Sequence, residues 1–213
     1  MITDVLIRSL AADIRPVPRH AVGRRLAVGI AGGAIVTVGV IILGFGIRPD
    51  IALAMRGYSF WMKWAYTISL AIGALVMAGR LALPETVRRR RLWLPTIPMT
   101  LLALLAGLEM AHAPPADWLT MWLGQSWMKC PWLVLMLSAP IFIGLLWSFR
   151  RLAPTRLRAA GTSAGFASGA CAATLYCLHC PEVSALFILT WYTLGIGLAA
   201  AIGALVGPRR LRW

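Results

Sequence analysis

The stretch LAVGIAGGAIVTVGVIILGFGI (26–47) runs for 22 residues without a charge, and a helix needs about 20 apolar residues to cross the hydrocarbon core of a bilayer. Pro131–Phe149, Ala159–Pro181 and Val183–Pro208 read the same way. Trp64–Gly79 and Leu92–Leu108 reach that length once Ser59–Lys63 and Glu109–Ala111 are admitted at their ends. The composition agrees: 60% of residues are apolar and 13% charged, against roughly 25% charged in an average globular domain. The predicted fold is therefore all-α, an integral membrane bundle of six transmembrane helices. The expected spans are about 25–46, 59–80, 92–111, 130–149, 159–179 and 182–206, within a domain covering 23–208. A short cytoplasmic amphipathic segment, 1–22, precedes this domain and a tail, 209–213, follows it. Six spans consume on the order of 120 residues, so a soluble enzyme, a Rossmann domain and a β-barrel are excluded. The loops are too short for a folded extramembrane domain.

A net charge of +14 in a soluble chain would suggest nucleic acid. The distribution gives a better reason. Arg8, Arg15, Arg19, Arg24, Arg25, Arg80, Arg88–Arg91, Arg150, Arg151, Arg156, Arg158, Arg209, Arg210 and Arg212 fall on one side of the expected spans. Only Arg48, Arg56, Lys63 and Lys129 fall on the other, a ratio of 17 to 4. Under the positive-inside rule both termini are cytoplasmic in a bacterial inner, multi-pass membrane protein. The arginines then face anionic headgroups of the lipid bilayer, with no direct nucleic-acid contact. The first span starts after some 25 residues and has no small-x-small cleavage site before charged sequence, so it reads as a retained anchor.

Gly161, Gly165, Gly169 and Ala173 recur every four residues, as do Gly195, Ala199, Gly203 and Gly207, with a shorter version in Gly29 and Gly33. Small residues at that spacing line one helix face and let backbones approach, which matters where lipid removes the hydrophobic drive between helices. Tight packing of spans five and six within one chain is the first reading and a homodimer the second. Trp61, Trp64, Trp118, Trp122, Trp127 and Trp132 mark the outer side, and Trp93 and Trp147 the inner side, as an aromatic belt.

Of the four cysteines, Cys171 lies in mid-span and reads as an inert small apolar residue. Cys130 sits at the outer start of span four, and Cys177 and Cys180 bracket Leu178-His179 in the short outer turn before span six. That face is the oxidising side of a bacterial inner membrane. Cys130 precedes Pro131 and Cys180 precedes Pro181, so each is expected at an N-cap-like place where the helix dipole favours thiolate. Two such sulfurs at one depth can form a disulfide or clip a soft cation, although Glu182 adds an opposing charge beside Cys180. Cys130, Cys177, His179, Cys180, His112 and Glu109 all fall on the same expected face; the competing reading is that they are small or polar residues at helix ends. Glu109 and Lys63 are near span ends, where snorkelling accounts for them. There is no P-loop, no Ser/His/Asp set and no mid-span carboxylate pair, so the chain does not read as an enzyme.

Ile2, Leu6, Leu10 and Ile14 recur every four residues before Pro16 and Pro18. They define a short amphipathic helix that either lies on the membrane or docks in a groove on a cytoplasmic partner.

Several stretches come in a distinctive order. They are Leu-Ala-Ala-Asp-Ile-Arg-Pro-Val (10–17), Phe-Trp-Met-Lys-Trp-Ala-Tyr (60–66), and Cys130 followed by Leu-Ser-Ala-Pro (137–140). Arg-Arg-Leu-Ala-Pro (150–154), Ala160-Gly161, Tyr-Cys-Leu-His-Cys-Pro-Glu (176–182) and Trp-Tyr-Thr-Leu-Gly (191–195) follow. Together they resemble the NrsF family of six-span bacterial anti-sigma factors, negative regulators of an extracytoplasmic-function sigma factor. The resemblance implies that the N-terminal segment, through Leu6, Leu10, Ile14 and Arg15, holds the sigma factor at the membrane. It also implies that outward cysteines matching Cys130 and Cys180 respond to heavy-metal or oxidative stress, with Cys177 an extra of this sequence. Cys130, Cys177, His179 and Cys180 are the candidate ligands for a transient soft metal ion, and no constitutive cofactor is expected. The cytoplasmic zinc motif of other anti-sigma factors is absent, since His20 has no cysteine near it. The runner-up is a membrane thiol-disulfide oxidoreductase coupled to quinone, which would want a second outward cysteine pair. A metal-ion permease would want ligands stepping across the membrane, and only Cys171 lies at depth.

Overall fold

The structure is a computed structural model describing residues 21–81, 93, 95–152 and 154–212. The N-terminal stripe with Leu6, Leu10, Ile14 and Arg15, and the basic run 88–91, lie outside the described residues. Among the described residues there is no strand. The long helices are α1 (Ala21–Phe45), α2 (Tyr58–Leu81), α3 (Thr96–His112), α4 (Cys130–Arg150), α5 (Leu157–Tyr176) and α6 (Ala185–Arg210). Of these, α1, α2, α4 and α6 are long and apolar enough to cross a membrane. Helix α3 is apolar but has 17 residues, and α5 is built from Gly, Ala, Ser and Thr more than from large aliphatic side chains. The protein is a helical bundle with four candidate membrane spans.

The composition of α5 follows from its position. It packs against α2, α4 and α6 together, and 12 of its 20 residues are buried, against 5 of 20 in Ala21–Val40. A central helix touched on several sides needs small side chains, and the resulting polarity is why α5 is the least lipid-like of the long helices. A Cβ at Gly161 would lie on the carbonyl oxygen of Gly203 and 2.7 Å from the Cα of Gly207, and one at Gly165 would meet Ala199 and Ala200. The expected α5–α6 seam is thus formed within one chain.

A second close crossing joins α1 to α4. Gly29 and Gly144 face each other backbone to backbone, and a Cβ at Gly33 would meet the backbone of Ile141. Thr37 donates to the Leu137 carbonyl at 3.0 Å and Ser148 to the Arg25 carbonyl at 2.8 Å. Helix α3 is peripheral, burying only Leu102 and Ala106. Trp61, Trp118, Trp122, Trp127 and Trp132 are exposed near the start of α2 and around the α3–α4 connection, and Trp93 and Trp147 near the other end. Trp64 departs from the belt expectation. It stacks on Phe60 at 5.8 Å, and its indole N–H is buried without a partner.

Candidate functional site

At one end of the bundle three cysteines are fully buried: Cys130, Cys177 and Cys180. Cys130 is the first residue of α4, one place inside the N-cap position, which Lys129 holds. Cys180 is not at a helix start, which corrects the N-cap expectation. The chain stays extended through Pro181 and Ser184, and α6 opens only at Ala185. The reason lies on another helix. The Glu109 carboxylate accepts from the Ala185 N–H at 2.7 Å and the Ser184 hydroxyl at 3.2 Å, capping α6 there. Glu109 is therefore a capping group rather than a snorkelling one.

The turn 178–182 is gripped from three segments. Lys63, fully buried, donates to the carbonyl oxygens of Cys180 at 3.0 Å and Glu182 at 2.6 Å. The snorkelling expectation fails for this lysine because its ammonium finds two acceptors inside the protein. The Arg48 N–H donates to the Leu178 carbonyl at 3.3 Å, and its guanidinium pairs with Asp50. His179 Nδ1 donates to the Gly46 carbonyl at 2.9 Å, with its ring against Phe45 and Tyr176. Glu182 reaches the loop that leads into α4: one carboxylate oxygen accepts from the N–H groups of Gln125 at 2.7 Å and Ser126 at 3.0 Å, and from the Ser126 hydroxyl at 2.9 Å. That approach needs a glycine at 124, where φ is +54° and a Cβ would meet the Glu182 carboxylate and Phe187.

Glu182 therefore sets the register between the turn that carries Cys180 and the helix that starts with Cys130. The Cys130 thiol is near enough to the Cys180 sulfur to act on its ionisation. The neighbouring Cys130 thiol, opposed by burial and helped by the Lys63 ammonium, holds the Cys180 thiol below its ordinary value. The Glu182 carboxylate, expected to oppose this ionisation, is instead engaged by the Gln125–Ser126 loop. Tyr192 ends a π-helical turn, Ile188–Tyr192, and its buried hydroxyl has no hydrogen-bond partner among the described residues. Such single wide turns recur at functional sites; nothing in the local sequence marks this one.

The other candidate residues are placed apart from the pair. The Cys177 thiol donates to the Ala173 carbonyl at 3.2 Å, His179 is committed to Gly46, and His112 Nδ1 binds its own helix at the Leu108 carbonyl. Cys171 is half-buried in α5. Among the described residues no three His, Cys, Asp or Glu side chains are grouped to hold a metal ion. The donor set is two neighbouring sulfurs, which suits a thiophilic cation better than a four-ligand zinc site.

The family model described as "Negative regulator of sigma F", NrsF, matches residues 10–213. The chain belongs to the NrsF family. It is 38% identical over 216 aligned positions to the "Probable anti-sigma-F factor NrsF" of Azospira oryzae, covering 100% of both chains. It is 37% identical over 216 positions to the "Anti-sigma-F factor NrsF" of Caulobacter vibrioides, again over 100% of both. No solved structure matches the chain. The NrsF family is a family of regulators, not an enzyme class.

The lowered Cys180 thiol has a measurable consequence. Only the thiolate attacks an alkylating agent, so an ordinary thiol, ionising near 8.5, reacts faster all the way to about pH 9. In the detergent-solubilised Cys171→Ser/Cys177→Ser chain, carbamidomethylation of Cys180 by iodoacetamide, followed by peptide mass spectrometry, is expected to reach its plateau at a lower pH than in the same chain carrying Cys130→Ser as well. Identical pH profiles for the two chains contradict the arrangement.

Proposed function

We propose that the chain is a membrane anti-sigma factor. It sequesters an extracytoplasmic-function sigma factor at the bacterial inner membrane and releases it when Cys130 and Cys180 react together with a heavy metal or an oxidant. What carries this reading is that Cys130 and Cys180 are both fully buried at one end of the bundle, with Glu182 tying the Cys180 turn to the loop before Cys130, in a chain of a sigma-regulator family. All six long helices cross the membrane, with both termini cytoplasmic and the cysteine end outward; the 17-to-4 asymmetry of basic residues supports that orientation. In the oxidative branch a sulfur–sulfur bond forms, two protons leave and the oxidant takes two electrons. In the metal branch a soft cation displaces the thiol protons and bridges both sulfurs.

The packing of α4 on α1 supports a route to the sigma factor. Helix α4 begins at Cys130 and is bound along its length to α1, through Thr37, Gly33, Gly29 and the Arg25 carbonyl. Segment 1–22 leads into α1 along the chain. A shift of α4 is carried to that segment because close-packed backbones do not absorb it locally.

The sigma factor binds the apolar stripe of Leu6, Leu10 and Ile14, with Arg15 beside it. Leu6→Asp with Leu10→Asp places charge in that stripe. The wild-type chain, tagged and extracted from membranes, is expected to co-purify the sigma factor, and the double variant to retain less than a tenth of it. Equal retention by a variant still present in the membrane assigns the stripe to the lipid surface instead.

A further inference from the structure

At the end opposite the cysteines, the last turns of α4 and α6 form a feature unrelated to the sensor. Phe142, Ile143, Leu146 and Trp147 of α4 and Val206 of α6 line an apolar groove of about 430 Å³ that opens at Arg150 and Arg210. Beyond its mouth Arg150, Arg210 and Arg212 share a hollow of about 240 Å³. The arginines are drawn together rather than spread: the Arg150 Nε–H donates to the Arg210 carbonyl at 2.8 Å. All three are exposed, and no carboxylate among the described residues pairs with any of them. Gathering like charges without an acid costs free energy unless an anion completes the site.

The adjoining groove narrows the choice of anion. Ile143 and Trp147 are exposed along it at 66% and 46%, an apolar wall that a free phosphate does not use. Residues 142 to 150 span about 12 Å of helix, close to the depth of one leaflet of a hydrocarbon core about 30 Å thick. We infer that the α4–α6 groove and its arginine mouth form a seat for one anionic phospholipid, with the acyl chain against Ile143, Leu146 and Val206 and the phosphate on Arg150, Arg210 and Arg212. Arginine forks match phosphate oxygens in pairs, and basic pockets between membrane helices hold lipid headgroups for this reason. The seat joins the end of the helix that begins at Cys130 to the end of α6, so its occupant clamps those two helices together. This inference does not depend on the sigma-factor reading.

Native mass spectrometry of the full chain released from detergent tests it, with phosphatidylglycerol and phosphatidylcholine of identical acyl chains as probes. The wild-type chain is expected to retain phosphatidylglycerol at least tenfold better than phosphatidylcholine. Arg150→Gln with Arg210→Gln is expected to erase that preference, and Ile143→Trp, which fills the groove and leaves the arginines, to lower retention of phosphatidylglycerol at least fivefold. Should the arginine pair fail to fold, Ile143→Trp decides alone: loss supports the seat and full retention overturns it. Equal retention of the two lipids by the wild-type chain, or undiminished phosphatidylglycerol on a folded arginine variant, overturns it. So does displacement of the lipid by an equal concentration of inorganic phosphate, which would make the site one for the free anion.

Discussion

Replacing Gly161 by leucine is expected to break the bundle under conditions where Gly197→Leu leaves it intact. Both glycines lie in long helices, α5 and α6, yet their surroundings are opposite. A side chain at 161 runs into the backbone of Gly203 and Gly207, whereas nothing lies within 4 Å of a Cβ at 197. Overpacking against flexible side chains costs about 1–3 kcal/mol; here the obstruction is a main-chain carbonyl, which has no rotamer to adopt, so the cost reaches or passes ~3 kcal/mol. Once the helices separate, lipid supplies no hydrophobic drive to bring them back. For a chain of this size that loss corresponds to a melting temperature lower by about 6–12 °C or more. Heating the detergent-solubilised variants and following the monodisperse fraction by size exclusion checks it. Equal melting of the two variants would show that the seam does not hold α5 to α6.

The fold is legible wherever the sequence alternates between charge-free windows and arginines, because burial in lipid and charge exclude each other. The α5–α6 seam is legible too, since a four-residue spacing of glycines has few other uses in a membrane helix. The α1–α4 crossing was half legible. Gly29 and Gly33 signal it, while the answering Gly144 and Ser148, also four apart, are hidden among the large aliphatic residues of α4. The start of α6 was misread because Cys180-Pro181 has the form of a helix start. The group that caps the helix, Glu109, is 76 positions from Ala185, and no local pattern announces so distant a partner.

At the site, the sequence placed Cys130 and Cys180 at one depth but left open whether they are neighbours. Their proximity depends on Glu182 reaching Gln125 and Ser126, a bond across more than fifty residues. Lys63 reads as a snorkelling residue for a physical reason. A lysine near a span end ordinarily extends to water, and only the carbonyls of Cys180 and Glu182 make burial affordable here. In retrospect, the lysine between Trp61 and Trp64, the one charge in the helix before Arg80, is the available signal. The proposal that the stripe of Leu6, Leu10 and Ile14 binds the sigma factor rests on its periodicity and on the family resemblance.

The second large effect concerns the cysteines as a pair. Converting a complex from about 1:99 to 99:1 in favour of release takes roughly 5.5 kcal/mol of differential stabilisation. A ligand present at a thousand times its dissociation constant supplies about 4.1 kcal/mol, so a weak contact with one thiolate falls far short. A bridge between two sulfurs engages α4 and the 178–182 turn at once. Removal of either sulfur should then abolish the response completely, whereas Cys171, remote from the pair, should be dispensable.

The direct measurement is the output of a sigma-dependent reporter in cells carrying the wild-type chain, Cys130→Ser, Cys180→Ser, the double variant or Cys171→Ser, each with and without a thiophilic metal or an oxidant. With Cys130 and Cys180 acting as one switch, both single variants and the double keep repression and stay at the uninduced level under stress, while Cys171→Ser induces like wild type. If the two single variants each retain about half the response and their losses add in the double, the sulfurs act separately and the paired switch is wrong.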